Sequence, residues 1–184
     1  MNIALRRTMT VAEYLAWGDA QGGRVRAELI NGQIVAMSPE RADHNRTKGK
    51  IFVALASAVT KAGLDCEAFT DGMTVPIDEH TAYEPDAVVH CGEPIPGQQL
   101  TVPAPVIVVE VLSPTTRHSD TSAKLVGYFK LPSVRHYIII DPEARTLAHH
   151  ARGDDGAIAA RTLASGTLRL DPPGIELQVS DIFG

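Results

Sequence analysis

The sequence predicts an α/β (α+β) fold, a mixed β-sheet flanked by helices with an antiparallel C-terminal extension. Three observations carry this expectation. Between residues 42 and 62, Ile51, Leu55, Ala58, Val59 and Ala62 fall on one stripe of a long amphipathic helix. Residues 106–112 form a nearly continuous β-branched run, which suits a strand buried on both faces. The order of elements, helix, hairpin, long helix, strands, helix, strands, describes a sheet covered by helices.

Each element has its local reason. Thr10 followed by Glu13 is a capping box, in which a hydroxyl and a carboxylate satisfy each other's free amides, so a helix is expected over 10–20. Gly22 and Gly23 end it. Residues 26–37 read as a β-hairpin around Asn31-Gly32, the favoured pair where both turn residues need positive φ. Ser38-Pro39 breaks the second strand, and Gly63 stops the long helix. Two short strands, 66–69 and 73–77, flank Asp71-Gly72, which reads as another hairpin turn. Residues 85–90 form a further strand, and a Pro- and Gly-rich loop leads from 92 to 105. A helix is expected over 119–130, closed by Pro132, and a strand over 135–140, ended by Asp141-Pro142. Strands near 146–150, 157–162 and 166–170 complete an antiparallel extension.

Composition bounds the function classes. The chain has 184 residues, 44% of them hydrophobic and 21% charged, with a net charge of −5. One domain spanning 1–184 is expected, with a core at about 10–142 and a β extension at about 143–184. The apolar fraction excludes wholesale disorder. No apolar run approaches the length of a membrane span, and the N-terminus lacks the basic-then-apolar pattern of a signal peptide. Cys66 and Cys91 are too few for a disulfide framework or a cysteine-rich zinc site, and are read as structural. A reduced, cytoplasmic protein with no membrane partner is the expectation. The acidic balance argues against a blanket polyanion binder but is silent about a local basic patch.

The chemistry is expected where acids stand inside apolar strands, because a carboxylate there is costly unless a metal, a cation or hydrogen bonds compensate it. Glu28 precedes Leu29-Ile30, Asp86 follows Pro85 and opens a strand, and Glu110 lies within Ile107-Val108-Val109-Glu110-Val111-Leu112. Each has a plainer reading, a strand end from which the side chain escapes into solvent. Asp86 and Glu110 on neighbouring strands would supply hard oxygen ligands to Mg²⁺ or Mn²⁺, with the Val111 backbone carbonyl as a third. The metal would polarise a phosphate and lower the pKa of a bound water, and a nearby lysine would complete the site.

These residues form an ordered series. It runs Glu28-Leu29-Ile30-Asn31-Gly32-Gln33-Ile34 with Met37-Ser38-Pro39, then His44, then Pro85-Asp86-Ala87-Val88-Val89. Val109-Glu110-Val111-Leu112-Ser113-Pro114-Thr115-Thr116-Arg117 follows, then Asp120, Lys124, Tyr128 and Tyr137-Ile138-Ile139-Ile140-Asp141-Pro142. The series resembles the Uma2-like endonuclease family of the restriction-endonuclease-like, PD-(D/E)XK superfamily, over roughly residues 11–142. The resemblance implies a restriction-endonuclease-like fold and metal-dependent hydrolysis of DNA phosphodiester bonds, with Glu28, Asp86, Glu110 and Lys124 as catalytic residues. The superfamily signature wants lysine where this chain has Leu112; in the Uma2-like branch the lysine comes from the following helix, and Lys124 matches that place. Asp120 and Lys124 also have the i, i+4 spacing of an ordinary surface pair. Tyr128, one turn on, either hydrogen-bonds near the metal or anchors the helix. His44 either approaches the site or is a polar residue at a helix start. Arg41, Arg46, Lys48, Lys50 and Arg117 are candidate contacts to the nucleic-acid backbone. Cutting both strands of a duplex takes two active sites, so a homodimer is expected. The rival classes are a catalytically decayed nucleic-acid-binding module, which would bind without metal-dependent cleavage, and a structural or protein-interaction domain, which would bind neither cation nor nucleic acid.

Overall fold

The computed structural model describes residues 8–22, 25–113 and 121–184. It is a mixed α+β architecture with four helices and three sheets among those residues. The first helix, α1 (Val11–Ala20), starts at Thr10 with both halves of the capping box formed. The hairpin of β1 (Ala27–Ile30) and β2 (Gln33–Ala36) turns at Asn31 and Gly32, both at positive φ. The Gly32 position is doubly restricted, because an added Cβ would lie 2.5 Å from that of Thr8.

Helix α2 spans Ala42–Ala62 and ends on Gly63 in the left-handed conformation, as its pattern predicts. Ile51, Leu55 and Val59 are buried, whereas Ala62 is exposed at the last turn. After it come β3 (Cys66–Thr70), β4 (Val75–Asp78), β5 (Thr81–Tyr83), β6 (Ala87–Cys91) and β7 (Pro105–Val111). Helix α3 (Thr121–Tyr128) then connects to β8 (His136–Asp141). The chain closes with β9 (Thr146–Arg152), β10 (Ile158–Leu163), β11 (Thr167–Leu170), β12 (Ile175–Gln178) and a short helix, α4 (Val179–Phe183).

The main sheet has six strands in the order β10-β9-β8-β7-β6-β3. Only β7 and β8 run parallel within it, joined through the segment that contains α3. Strands β9 and β10 do extend it antiparallel. A second sheet, β2-β1-β5-β4, packs beside it, and β11 pairs with β12.

Two expectations are corrected here. Asp71-Gly72 does not close a hairpin: β3 pairs with β6 in the main sheet, and β4 pairs with β5 in the second. A turn signal is local, and the longer β6 offers β3 a full five-residue register. Cys66 and Cys91, expected reduced, are register partners on β3 and β6 and are joined by a disulfide. Among the described residues no helix is long and apolar enough to cross a membrane.

Strand periodicity sorts β7 into two faces. Ile107, Val109 and Val111 pack under α2 and α4. Val108 points the other way, into a cluster with Tyr83, Tyr128 and Tyr137, and Glu110 shares its face two residues on. The same alternation on β1 buries Ala27 and Leu29 against α1 and turns Glu28 to the opposite side. The carboxylates of β1 and β7 are thus delivered to one seam between the two sheets.

Candidate active site

Four sequence-predicted residues meet at that seam. The Lys124 ammonium, carried by α3, lies 2.9 Å from Glu28 Oε1 and 3.1 Å from Glu110 Oε1. It is buried, as are Glu28 and Asp86. Asp86 stands immediately before β6, where its backbone N–H donates to Val109 and its Oδ2 accepts the Val111 N–H at 2.6 Å. These bonds fix the Asp86 carboxylate against β7, the strand that carries Glu110. The Tyr128 hydroxyl donates to Glu110 Oε1 at 2.8 Å, while its ring is buried between Tyr83 and Tyr137. Tyr128 therefore anchors α3 through its ring and reaches Glu110 through its hydroxyl.

His44 reaches the site from α2. Its Nε2 donates to the Val111 carbonyl at 2.8 Å and lies 3.9 Å from Asp86 Oδ2. A carbonyl has two acceptor positions, so this bond leaves one of them for another partner. Leu112 lines the same cavity, about 400 Å³ in volume, together with Glu28, His44, Asp86, Glu110 and Lys124. Leu112 brings no charge to the cavity from the end of β7, and the Lys124 ammonium reaches it from α3.

Lys48 departs from expectation. It is 2% exposed, and its Nζ lies 2.6 Å from Glu40 Oε1, 2.7 Å from Asp71 Oδ2 and 2.9 Å from Asp86 Oδ1. It is thus no surface contact for nucleic acid: on α2 it follows His44 by one turn and continues the stripe through Ile51, Leu55 and Val59. That continuation at 44, 48, 51, 55 and 59 is a signal present in the sequence. Arg26 joins the same network, paired with Glu40, Asp71 and Glu84, and the Glu84 backbone N–H donates to Glu28 Oε1. These loop acids and Arg26 had no periodic signal. Arg41, Arg46 and Lys50 are exposed at the start of α2. Arg117, and Asp120 of the expected Asp120–Lys124 pair, lie outside the described residues.

The electrostatics follow from crowding. Burial pushes the Glu110 carboxyl up to about 8, Lys124 opposes the shift, and the carboxylates of Asp86 and Glu28 add to it. Burial also raises the Tyr128 hydroxyl well above its ordinary value, with Glu110 adding to the effect. Glu40 goes the other way: burial disfavours its charge, but hydrogen bonds from Lys48 and Arg26 outweigh that and hold it at about 2. Burial likewise works against the Lys48 charge, and Asp86, Asp71 and Glu40 overcome it and raise its pKa.

The donor set fits a hard divalent cation. Asp86, Glu110 and the Val111 carbonyl offer oxygen only, and the mutual repulsion of the acids is what such an ion relieves. Among the described residues no three His, Cys, Asp or Glu side chains form a cage by themselves. An ion here would keep positions for water and substrate oxygen, as Mg²⁺ prefers.

Comparison with known proteins places the chain in a family. The family model described as "Uma2: Putative restriction endonuclease" matches residues 11–180, and the chain belongs to the Uma2 family. Two uncharacterized proteins of Synechocystis sp. (strain ATCC 27184 / PCC 6803 / Kazusa) are similar to it. One is 27% identical over 173 residues, covering 93% of this chain and 89% of its own. The other is 27% identical over 158 residues, covering 84% and 87%. The fold is shared with a crystal structure described as "a putative nuclease belonging to DUF820" from Anabaena variabilis ATCC 29413. Its TM-score is 0.76 at 18% identity, covering 95% of this chain and 97% of that one.

Proposed function

We propose that this protein is a metal-dependent endonuclease that hydrolyses DNA phosphodiester bonds in the seam between its two sheets. The observation that carries this reading is the convergence of Glu28, Asp86, Glu110 and Lys124 on one cavity, with the Lys124 ammonium within hydrogen-bonding reach of Glu28 and Glu110. Membership of a family described as restriction endonucleases supports it.

Asp86, Glu110 and the Val111 carbonyl would hold Mg²⁺ or Mn²⁺, and such an ion would supply Lewis-acid polarisation of the phosphate and make the attacking water more acidic. In the hydrolysis a water oxygen bonds to phosphorus, the bond from phosphorus to the leaving sugar oxygen breaks, and that oxygen gains a proton. Lys124 supplies a fixed ammonium beside the developing negative charge, the kind of preorganised donor that costs no reorganisation during reaction. Glu28 holds Lys124 in place, and its carboxylate is the candidate acceptor for the proton that the attacking water loses. His44 steadies the Val111 carbonyl. Arg41, Arg46 and Lys50 lie along the exposed start of α2 and would pair with backbone phosphates without reading bases.

The test is nicking of supercoiled plasmid by the purified protein in Mg²⁺ or Mn²⁺. Wild type should cleave, and Glu110→Ala and Asp86→Asn should not. Cleavage that survives Glu110→Ala, or no cleavage by wild type in either metal, would overturn the mechanism.

A further inference from the structure

We propose that the Lys48 ammonium is a built-in cation: it occupies the second cation position of the site, so the centre takes one divalent ion rather than two. This inference rests on the metal-dependent reading above and goes beyond it, because it assigns the charge count of the site and a positioning role to a residue outside the four-residue constellation.

The geometry is that of a bound cation. Three carboxylate oxygens from three separate segments surround Nζ at 2.6, 2.7 and 2.9 Å. Glu40 comes from the connection into α2, Asp71 from the turn between β3 and β4, and Asp86 from the start of β6. The side chain of Lys48 is 3% exposed, so these bonds are made away from bulk water, where an isolated ammonium would be very costly. Asp86 is the shared member. Its Oδ1 faces Lys48, and its Oδ2 accepts the Val111 N–H on the side of Glu110. In two-metal phosphoryl-transfer sites the ions stand roughly 4 Å apart. A carboxylate shared between the two positions is the natural bridge. Here one side of that bridge faces a lysine.

The charge balance agrees. Glu28, Glu40, Asp71, Glu84, Asp86 and Glu110 lie in one connected network with Arg26, Lys48 and Lys124 as its cations. The acids outnumber the bases, which leaves room for a divalent ion near Glu110. The Glu40–Asp71–Asp86 end is already supplied by Lys48 and Arg26. Remove the ammonium and those three acids are left as uncompensated hard oxygens, whose repulsion a second divalent ion would relieve once water completes its coordination.

The test counts bound Mn²⁺ per chain by electron paramagnetic resonance, with folding followed by circular dichroism. Wild type should bind about one ion and Lys48→Ala about two, while Lys48→Arg should return the count to the wild-type value. A purely structural Lys48 would change stability without raising the count. Two ions in wild type, or a folded Lys48→Ala with a count equal to or below wild type, would overturn the proposal. None in wild type and one in Lys48→Ala would remove the metal site at Glu110, and with it the count of one, but leave Lys48 as the occupant of a cation position; none in either removes both. If Lys48→Ala is unfolded without metal, millimolar Ca²⁺ should restore its fold by replacing the missing charge. A variant that stays unfolded in Ca²⁺ counts against the proposal.

Discussion

Lys124 and Tyr128 share one carboxylate oxygen, Glu110 Oε1, yet the two contacts do different work. Lys124→Met removes the ammonium between Glu28 and Glu110, and plasmid nicking in Mg²⁺ should fall by roughly 10²-fold or more in single-turnover assays. Tyr128→Phe keeps the buried ring and loses one hydrogen bond. Urea melts should register about 1 kcal/mol of destabilisation, with a much smaller loss of cleavage. Glu28, Asp86 and Glu110 were legible in the sequence because acids in aliphatic strands are conspicuous, and Lys124 because an ordered resemblance pointed to it. Lys48 runs against its sequence expectation, being buried. Four cations near the start of α2 look like one basic cluster when counted along the chain, but a helix rotates 100° per residue and separates them. Arg41, Arg46 and Lys50 face water, and Lys48 faces the core. Arg26, Glu40, Asp71 and Glu84 were not foreseen, since loops and strand edges carry no period from which a shared destination can be read.

At the scale of elements, α3 must sit close to β5, and Gly127 is what lets it. A Cβ at that position would lie 2.6 Å from Tyr83 Cε2 and 2.9 Å from its hydroxyl, and Tyr83 is buried and held edge-on against Tyr128. Gly127→Ala should therefore push the helix outward and carry Lys124 with it. The expected cost is about 1–3 kcal/mol in stability and at least a tenfold loss of nicking, since small misplacements of a positioned group are expensive. An unchanged rate would mean that α3 has more freedom than its packing implies. Strands β8 and β9 carry a separate, acid-sensitive element. His136 Nδ1 meets His149 Nε2 at 2.9 Å, His136 Nε2 donates to the Pro172 carbonyl, and Arg161 Nε donates to His149 Nδ1. With both ends of the chain so engaged, both rings are held neutral. Burial lowers His149 to about 3, with His136 and Arg161 adding to the effect, and burial lowers His136 as well. Folded pKa values below the unfolded one near 6.5 mean that the unfolded chain takes up protons first. Stability should hold above pH 6.5 and fall as the pH drops from there toward about 3, and His149→Gln should flatten that slope in thermal melts. Neighbouring elements show where local reading ends. The bounds of α2 and the Asn31-Gly32 hairpin were legible because helix period, stop glycine and turn pair are all local. The partners of β3 and β4 were not, because pairing is a competition among distant strands, and β12 and α4 are too short to carry a pattern.

For the whole molecule, a net charge of −5 and a polyanionic substrate are compatible if the charges are segregated. The acids gather in the seam, while Arg41, Arg46 and Lys50 line an exposed groove of about 600 Å³ that also contains Arg145 from the turn before β9. Arg145 stands at positive φ with a guanidinium that donates to the Gly184 carbonyl, a placement only tertiary structure reveals. Asp43 and Glu143 share this groove, so its positive charge is partial. Arg41, His44 and Leu112 line both the groove and the cavity of the proposed active site, so the two adjoin. A backbone that reaches the seam would therefore run along the start of α2. Phosphate contacts of this kind release counterions, so binding should weaken with salt in proportion to their number. Duplex affinity of Glu110→Ala, used to prevent cleavage, should fall linearly on a log–log plot against salt concentration. Adding Arg46→Ala or Lys50→Ala should each shallow the slope by roughly 0.9 and weaken binding to unrelated duplexes alike. Mn²⁺ binding should be unaffected, because neither residue touches the seam. A slope that both substitutions leave unchanged would move the nucleic-acid path off this groove while leaving the cation site intact.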